Sequence, residues 1–262
     1  MTSDGVALWW QVEGVGPTVL LVPGRGDATD VYPHEFSDAL VAAGCSVLRF
    51  DPRDTGLSDE GGDAYTITTM ADDVDVVAAA ADVGAVHVVA LSMGGMVTLA
   101  LAIRHPSRVA SIVFLGAMSP DPDAGMGPRF FDGIGADPVL GTLASMGSIQ
   151  PEDEAWMRDR AARASERAPA RQTAGARHQD AALRLGWPQL SDLAAVSVPT
   201  LVVHGERDLV LPEAHADALV AGIAGAHGHV VDGMGHLPTR TEWLAMADLV
   251  VAHVRATPDR AA

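Results

Sequence analysis

Apolar and polar positions alternate in blocks along this 262-residue chain, and the block lengths predict its elements. Short apolar runs stand at residues 18–22 (TVLLV), 46–50 (SVLRF), 86–91 (VHVVAL) and 109–115 (VASIVFL). The first and third are continuously apolar, the pattern of strands buried on both faces of a sheet. An opening strand is expected at 6–12 (VALWWQV), ended by Glu13-Gly14. Helical spacing falls between them at 33–43, with Gly44 suited to its C-terminal end, and again at 68–83 and 96–104. The acidic residues of 68–83 are read as lying early in that helix, where its dipole favours them. Strands and helices thus alternate through the first 116 residues, which predicts a parallel sheet with helices on both faces.

The pattern changes at Met118. Residues 119–192 carry no convincing strand and are rich in Gly, Pro, Asp, Arg and Ala. Within them, 151–167 opens on Pro with acids before bases, a helix signature, and 180–185 is helical in pattern. The alternation then resumes with strands at 200–204 and 229–231 and helices at 212–221 and 241–254, before a frayed tail at 257–262. The simplest organisation is one α/β core, 1–118 with 193–262, interrupted by a helical lid at 119–192. The lid brings apolar bulk: Met126, Phe130, Phe131, Met146, Trp156, Met157 and Trp187. A subset, with Phe130, Phe131, Trp156 and Trp187 as candidates, is expected to line an apolar substrate channel.

Composition narrows the function classes. Hydrophobic residues make up 48% of the chain, enough for a sizeable core. All 17 basic residues are arginine, and against 34 acidic residues the formal charge is −17. Such a surface repels nucleic acid and anionic membranes, and it says nothing direct about a small-molecule substrate, because a local arginine can still face a pocket. A single cysteine, Cys45, excludes an internal disulfide and reads as a small buried hydrophobe. The start MTSDGVALWW lacks the basic and apolar regions of a signal peptide, and no apolar run approaches the roughly 20 residues of a membrane span. A soluble, cytoplasmic protein is expected.

The chemistry centres on Ser92. The apolar run 86–91 stops at Ser92-Met93-Gly94-Gly95 and a helix follows at once, the layout of a nucleophile elbow. A serine hydroxyl needs a base, and the base needs a group to orient it. Two later strands end in HGERD and in DGMGHLP, offering Asp208 and His236 in the order Ser-Asp-His. Asp121 and Asp123, just past the strand at 109–115, are rival acids, and Asp232 lies too near His236 along the chain. His204, at a strand end, reads as structural. His227 and His229 share a strand face, but without a third ligand at useful spacing they do not make a metal site. No metal or organic cofactor is required.

These pieces resemble the α/β-hydrolase fold over nearly the whole length: PGRGD after the second strand, DPRDTGLSD, ALSMGG, HGERDLVLP and GMGHLP. The resemblance implies a mostly parallel twisted sheet with helices on both faces and a helical lid inserted after the sixth core strand. Asp51-Pro52-Arg53-Asp54-Thr55-Gly56 resembles the aclacinomycin methylesterase-like esterases, although most relatives have glycine where Asp54 stands. The resemblance implies an oxyanion hole formed by the backbone N–H groups of Arg25 and Met93. Ala90 replaces the first glycine of the Gly-x-Ser-x-Gly elbow and Pro23 replaces a common histidine; neither removes an N–H donor of the hole. The Arg25 side chain is a further candidate for holding a substrate carboxylate or carbonyl. Asp51, Arg53 and Asp54 are expected to brace their loop by charge-assisted hydrogen bonds. The expectation is a serine hydrolase cleaving a carboxylic ester, a methyl ester or lactone of a medium-sized apolar metabolite. The same triad also serves C–C bond, thioester, acyl-transfer and perhydrolase chemistry, and some members of the fold only bind ligands or act in biosynthesis without hydrolysis.

Overall fold

A computed structural model describes residues 1–62, 65–128, 145–147, 149–167, 172–184 and 188–257, with the side chains of 172–177 excepted. Its strands, in chain order, are β1 (Trp10–Gly14), β2 (Thr18–Val22), β3 (Ser46–Phe50), β4 (Val86–Leu91), β5 (Val109–Leu115), β6 (Thr200–Gly205) and β7 (His227–Val231). They form one sheet in the order β1-β3-β2-β4-β5-β6-β7, parallel throughout except for the antiparallel edge pair β1–β3. The helices are α1 (His34–Ala42), α2 (Ile67–Ala80), α3 (Gly94–Arg104), α4 (Pro151–Arg167), α5 (Gln172–Arg184), α6 (Ala214–Gly222) and α7 (Arg240–Ala256).

Successive side chains of a strand point to opposite faces, so the central strands feed two cores. Leu20, Leu48, Val88, Ile112, Phe114 and Val202 pack with residues of α2, α3 and α6. Val19, Leu21, Val47, Val89, Val113 and Val203 pack on the other face with Phe36 and Leu40 of α1 and Trp243 and Val250 of α7. Covering on both faces is why β2 and β4 read as unbroken apolar runs. Burial of each large apolar side chain contributes about 1.5–3 kcal/mol, and these two cores hold the central strands in register.

Two local expectations are corrected. The first strand begins at Trp10 because the segment before it is held by loop side chains: Ala7 N–H donates to Asp59 Oδ2 (3.2 Å) and Trp9 N–H to Ser58 Oγ (3.0 Å). Helix α2 is opened by a reciprocal Thr66–Thr69 capping box, with no acid in its first turn. Its acids lie further along and pair with arginines of other segments, Asp72 with Arg104 and Asp75 with Arg108 near the surface and Asp73 with the buried Arg53. Helices α4 and α5 leave the sheet after β5, the fifth strand of this chain, and return to it at β6. Among the described residues, no helix is long and apolar enough to cross a membrane.

Candidate active site

Ser92 sits directly at the end of β4 with φ of 52°, in the left-handed region that costs a non-glycine residue of order 1 kcal/mol or more. The surrounding backbone holds it there. Ser92 N–H donates to Leu115 O (3.3 Å), while its carbonyl accepts from Gly95 N–H and Met118 N–H, both 2.9 Å. Gly94 allows the turn: a Cβ there would lie 2.6 Å from the carbonyl oxygens of both Val22 and Pro23. Ala90 is fully buried within β4, between Val22 and Phe114 of the neighbouring strands, so its methyl is absorbed by the sheet.

The end of β5 links this turn to the other two candidates. Leu115 O binds Ser92, and the next residue, Gly116, abuts the Asp208–His236 pair: a Cβ there would lie 3.5 Å from both Asp208 Oδ2 and His236 Nδ1. Asp208 Oδ2 accepts from His236 Nδ1 at 2.7 Å, and Oδ1 accepts from Val210 N–H and Leu211 N–H, each at 2.8 Å. Burial pushes the Asp208 carboxyl up, but the neighbouring His236 charge and these hydrogen bonds outweigh it and hold the pKa below the usual range. An ionised Asp208 keeps the proton on His236 Nδ1 and leaves Nε2 as the basic nitrogen.

The loop after β2 closes the other side. A Cβ on Gly24 would lie 3.2 Å from Ser92 Cβ and 2.9 Å from Asp27 Oδ2. Arg25, next along this loop, and Met93, at the N-terminal end of α3, are the residues whose N–H groups are candidates for an oxyanion hole. Among the described residues the Met93 N–H has no backbone carbonyl partner, as expected at a helix start. The Arg25 side chain forms a two-toothed ion pair with Asp180 of α5, its second contact Nη2 to Oδ2 at 3.1 Å.

Asp180 belongs to a group of α4 and α5 residues that bind the loops after β2 and β3. Gln179 Oε1 accepts from Gly26 N–H (2.6 Å), and His178 Nδ1 meets Asp54 Oδ2 (3.0 Å). Asp54 has φ of 66°, a conformation natural to glycine, and it receives hydrogen bonds that glycine cannot: Oδ1 from Gly61 N–H (2.7 Å) and Oδ2 from the lid. Asp51, fully buried, accepts from Thr29 N–H, Leu57 N–H and Arg167 of α4. Arg53 is fully buried and pairs with Asp73 and Asp4. On α4, Arg160 donates to the carbonyls of Asp30 and Val31, both at 2.8 Å.

Residues 145–147, between β5 and α4, reach the candidate base. His236 N–H and Leu237 N–H both donate to Ser145 O, at 2.6 and 3.4 Å, and Gly147 bridges to Met234. The DGMGH motif gives no hint of this partner, which lies some ninety residues earlier.

The remaining candidates lie elsewhere. Trp156 is buried in the α1–α7 core, its indole N–H on Glu35 Oε1 (3.1 Å) and its ring under Arg160, so its described contacts are with protein. Phe130, Phe131 and Trp187 fall outside the described residues. Asp121 caps its own turn through Asp123 N–H, and Asp232 is exposed. His204 Nε2 meets Leu211 O at 3.2 Å, and burial pushes its pKa down. His227 and His229 are exposed, and the described residues contain no group of three metal-ligating side chains. Cys45 is buried.

Comparison with known proteins follows the same lines. The family model described as alpha/beta hydrolase fold matches residues 17–138. Rhodomycin D methylesterase DauP of a Streptomyces species is 29% identical, with 98% of this chain and 97% of that protein covered. The putative carbamate hydrolase RutD of Variovorax paradoxus is 30% identical, with coverage of 90% and 91%. Among solved structures, the esterase EaEST from Exiguobacterium antarcticum superposes with a TM-score of 0.77 at 24% identity, over 97% of this chain and 98% of that one, a likeness of fold. A match of this extent to RutD, joined to the family model, places the chain in the alpha/beta hydrolase fold family.

Proposed function

We propose that this hydrolase cleaves a carboxylic ester by nucleophilic catalysis at Ser92, with His236 as general base and Asp208 as its orienting acid. The observation that carries the reading is the contiguity at the end of β5. Leu115 O holds the strained Ser92, and Gly116 lies against the 2.7 Å Asp208–His236 bond. His236 Nε2 takes the Ser92 proton as Oγ attacks the acyl carbon, and Asp208 stabilises the imidazolium that forms. The N–H groups of Arg25 and Met93 receive the oxyanion. The alcohol leaves with the proton from His236; water, deprotonated by His236, then releases the acid and restores Ser92. The methylesterase among the relatives supports a methyl ester as substrate; the same steps would open a lactone, and the apolar residues at 119–192 are the reason for expecting a medium-sized apolar molecule.

A fluorophosphonate probe and p-nitrophenyl butyrate test this reading. Labelling of Ser92, with turnover lowered at least about 1,000-fold by Ser92→Ala in a folded protein, is the expected result. Wild-type turnover in Ser92→Ala would overturn it.

A further inference from the structure

The mechanism leaves one group beside Ser92 without a task. The Asp27 carboxylate and the Ser92 side chain approach a single point on Gly24, at 2.9 and 3.2 Å, so they border one small volume. Asp27 is enclosed by protein yet keeps some accessible surface, the combination expected of a side chain lining a cleft. Among the described residues its carboxylate makes no hydrogen bond and no ion pair. The cations near it are engaged elsewhere: Arg25 with Asp180, and Arg160 with the carbonyls of Asp30 and Val31. The titratable groups acting on it are His236 from the loop after β7, Arg25 from its own loop, Arg160 from α4 and Tyr32, whose hydroxyl donates to Val22 O and Val89 O. An unpaired carboxylate in a cleft is costly to keep, because burial disfavours its charge.

We propose that Asp27 sets the charge preference of the acyl site: its carboxylate disfavours acyl groups that carry a negative charge and favours release of the acid product. The inference rests on Ser92 being the nucleophile. Hydrolysis turns a neutral ester into an acid that ionises within a few ångströms of Asp27, so repulsion acts on the product and not on the substrate. A substrate with its own acyl-chain carboxylate meets the same repulsion on entry. Burial pushes the Asp27 pKa up to about 6, against the pull of His236, Arg25 and Arg160, so the discrimination grows as pH rises through that value.

The test compares kcat/KM for p-nitrophenyl butyrate and for mono-p-nitrophenyl glutarate, whose free carboxylate is largely ionised from pH 5.5 to 8. The ratio of the two cancels any pH dependence that both substrates share and any general loss of rate. In the wild type, the preference for butyrate is expected to rise about tenfold from pH 5.5 to 8; in Asp27→Asn it is expected to be flat and low, and in Asp27→Glu to persist. A ratio that is independent of pH in the wild type, which needs no variant to fold, overturns the proposal, as does an unchanged ratio in folded Asp27→Asn. The Ser92→Ala control separates the two readings. Full turnover in that variant removes the nucleophile assignment, whereas an essential Ser92 with a flat ratio removes only the role of Asp27.

Discussion

The floor and the roof of the candidate site are held by different forces. Beneath Ser92 the fastening is backbone: parallel ladders from β2 to β5, carbonyls turned onto the N–H groups around the elbow, and a glycine with no room for a methyl. The described roof is fastened mainly by charged and polar side chains: Arg160 and Arg167 of α4, and His178, Gln179 and Asp180 of α5. Backbone contacts inside two apolar cores give little as a unit, while ion pairs between surface helices and loops yield one at a time and respond to salt. On the proposed mechanism the nucleophile thus stands on the backbone-fastened floor, while α4 and α5 are joined to the core loops by attachments that are individually weak.

The largest effect is expected where the floor is tightest. Gly94→Val should lose more than about 3 kcal/mol of stability and nearly all activity, because its side chain meets the Val22 and Pro23 carbonyls; thermal melts and probe labelling check both. A stable, active Gly94→Val would erase the contrast with the roof.

A smaller effect is expected from Arg167→Ala. It leaves the buried Asp51 carboxylate with only its two backbone donors, at a cost of about 2 kcal/mol. Limited proteolysis should then cut the lid helices faster while Ser92 still labels at the wild-type rate. If labelling falls in step with cleavage, floor and roof are one cooperative unit.

The smallest effect lies on the loop between them. A carboxyl whose folded pKa is raised from 3.8 to about 6 costs the fold stability above that value, and the cost fades as pH falls from 6 towards 4. Asp27→Asn should therefore melt higher than the wild type at pH 8, and at the same temperature near pH 4. A melting difference that does not change with pH would mean that folding leaves the Asp27 pKa where it stands in the unfolded chain.

What the sequence revealed follows the same division. The spans of β2, β3, β4, β5 and α4 were legible because burial on both faces, or a Pro followed by acids and then bases, leaves a local imprint. The turns bearing Ser92, Asp208 and His236 were legible for a similar reason, each being a short motif at a strand end. The partners of Arg25 and Asp54 were not, because Asp180 and His178 lie more than 120 residues away and ion pairing leaves no periodicity. Nothing in the PGRGD stretch singles out Asp27. Its meaning appears only when the chain brings Gly24 against Ser92. The span of β1 differs from the expected 6–12 because its leading residues are apolar, yet Ser58 and Asp59 take their backbone donors before any strand can.

The attachment of Ser145 bears on attempts to give this enzyme a new specificity. Lids of such enzymes invite exchange as cassettes, and residues 119–192 present themselves as the cassette to cut. Yet the carbonyl of Ser145 receives the backbone of both His236 and Leu237, and Gly235 N–H binds Met146 O. A graft that replaced the whole interval would remove the peg from which the backbone of His236 hangs, and would be scored as a failure of the new lid. A chimaera has to retain residues 145–147 and place its junctions on either side of them.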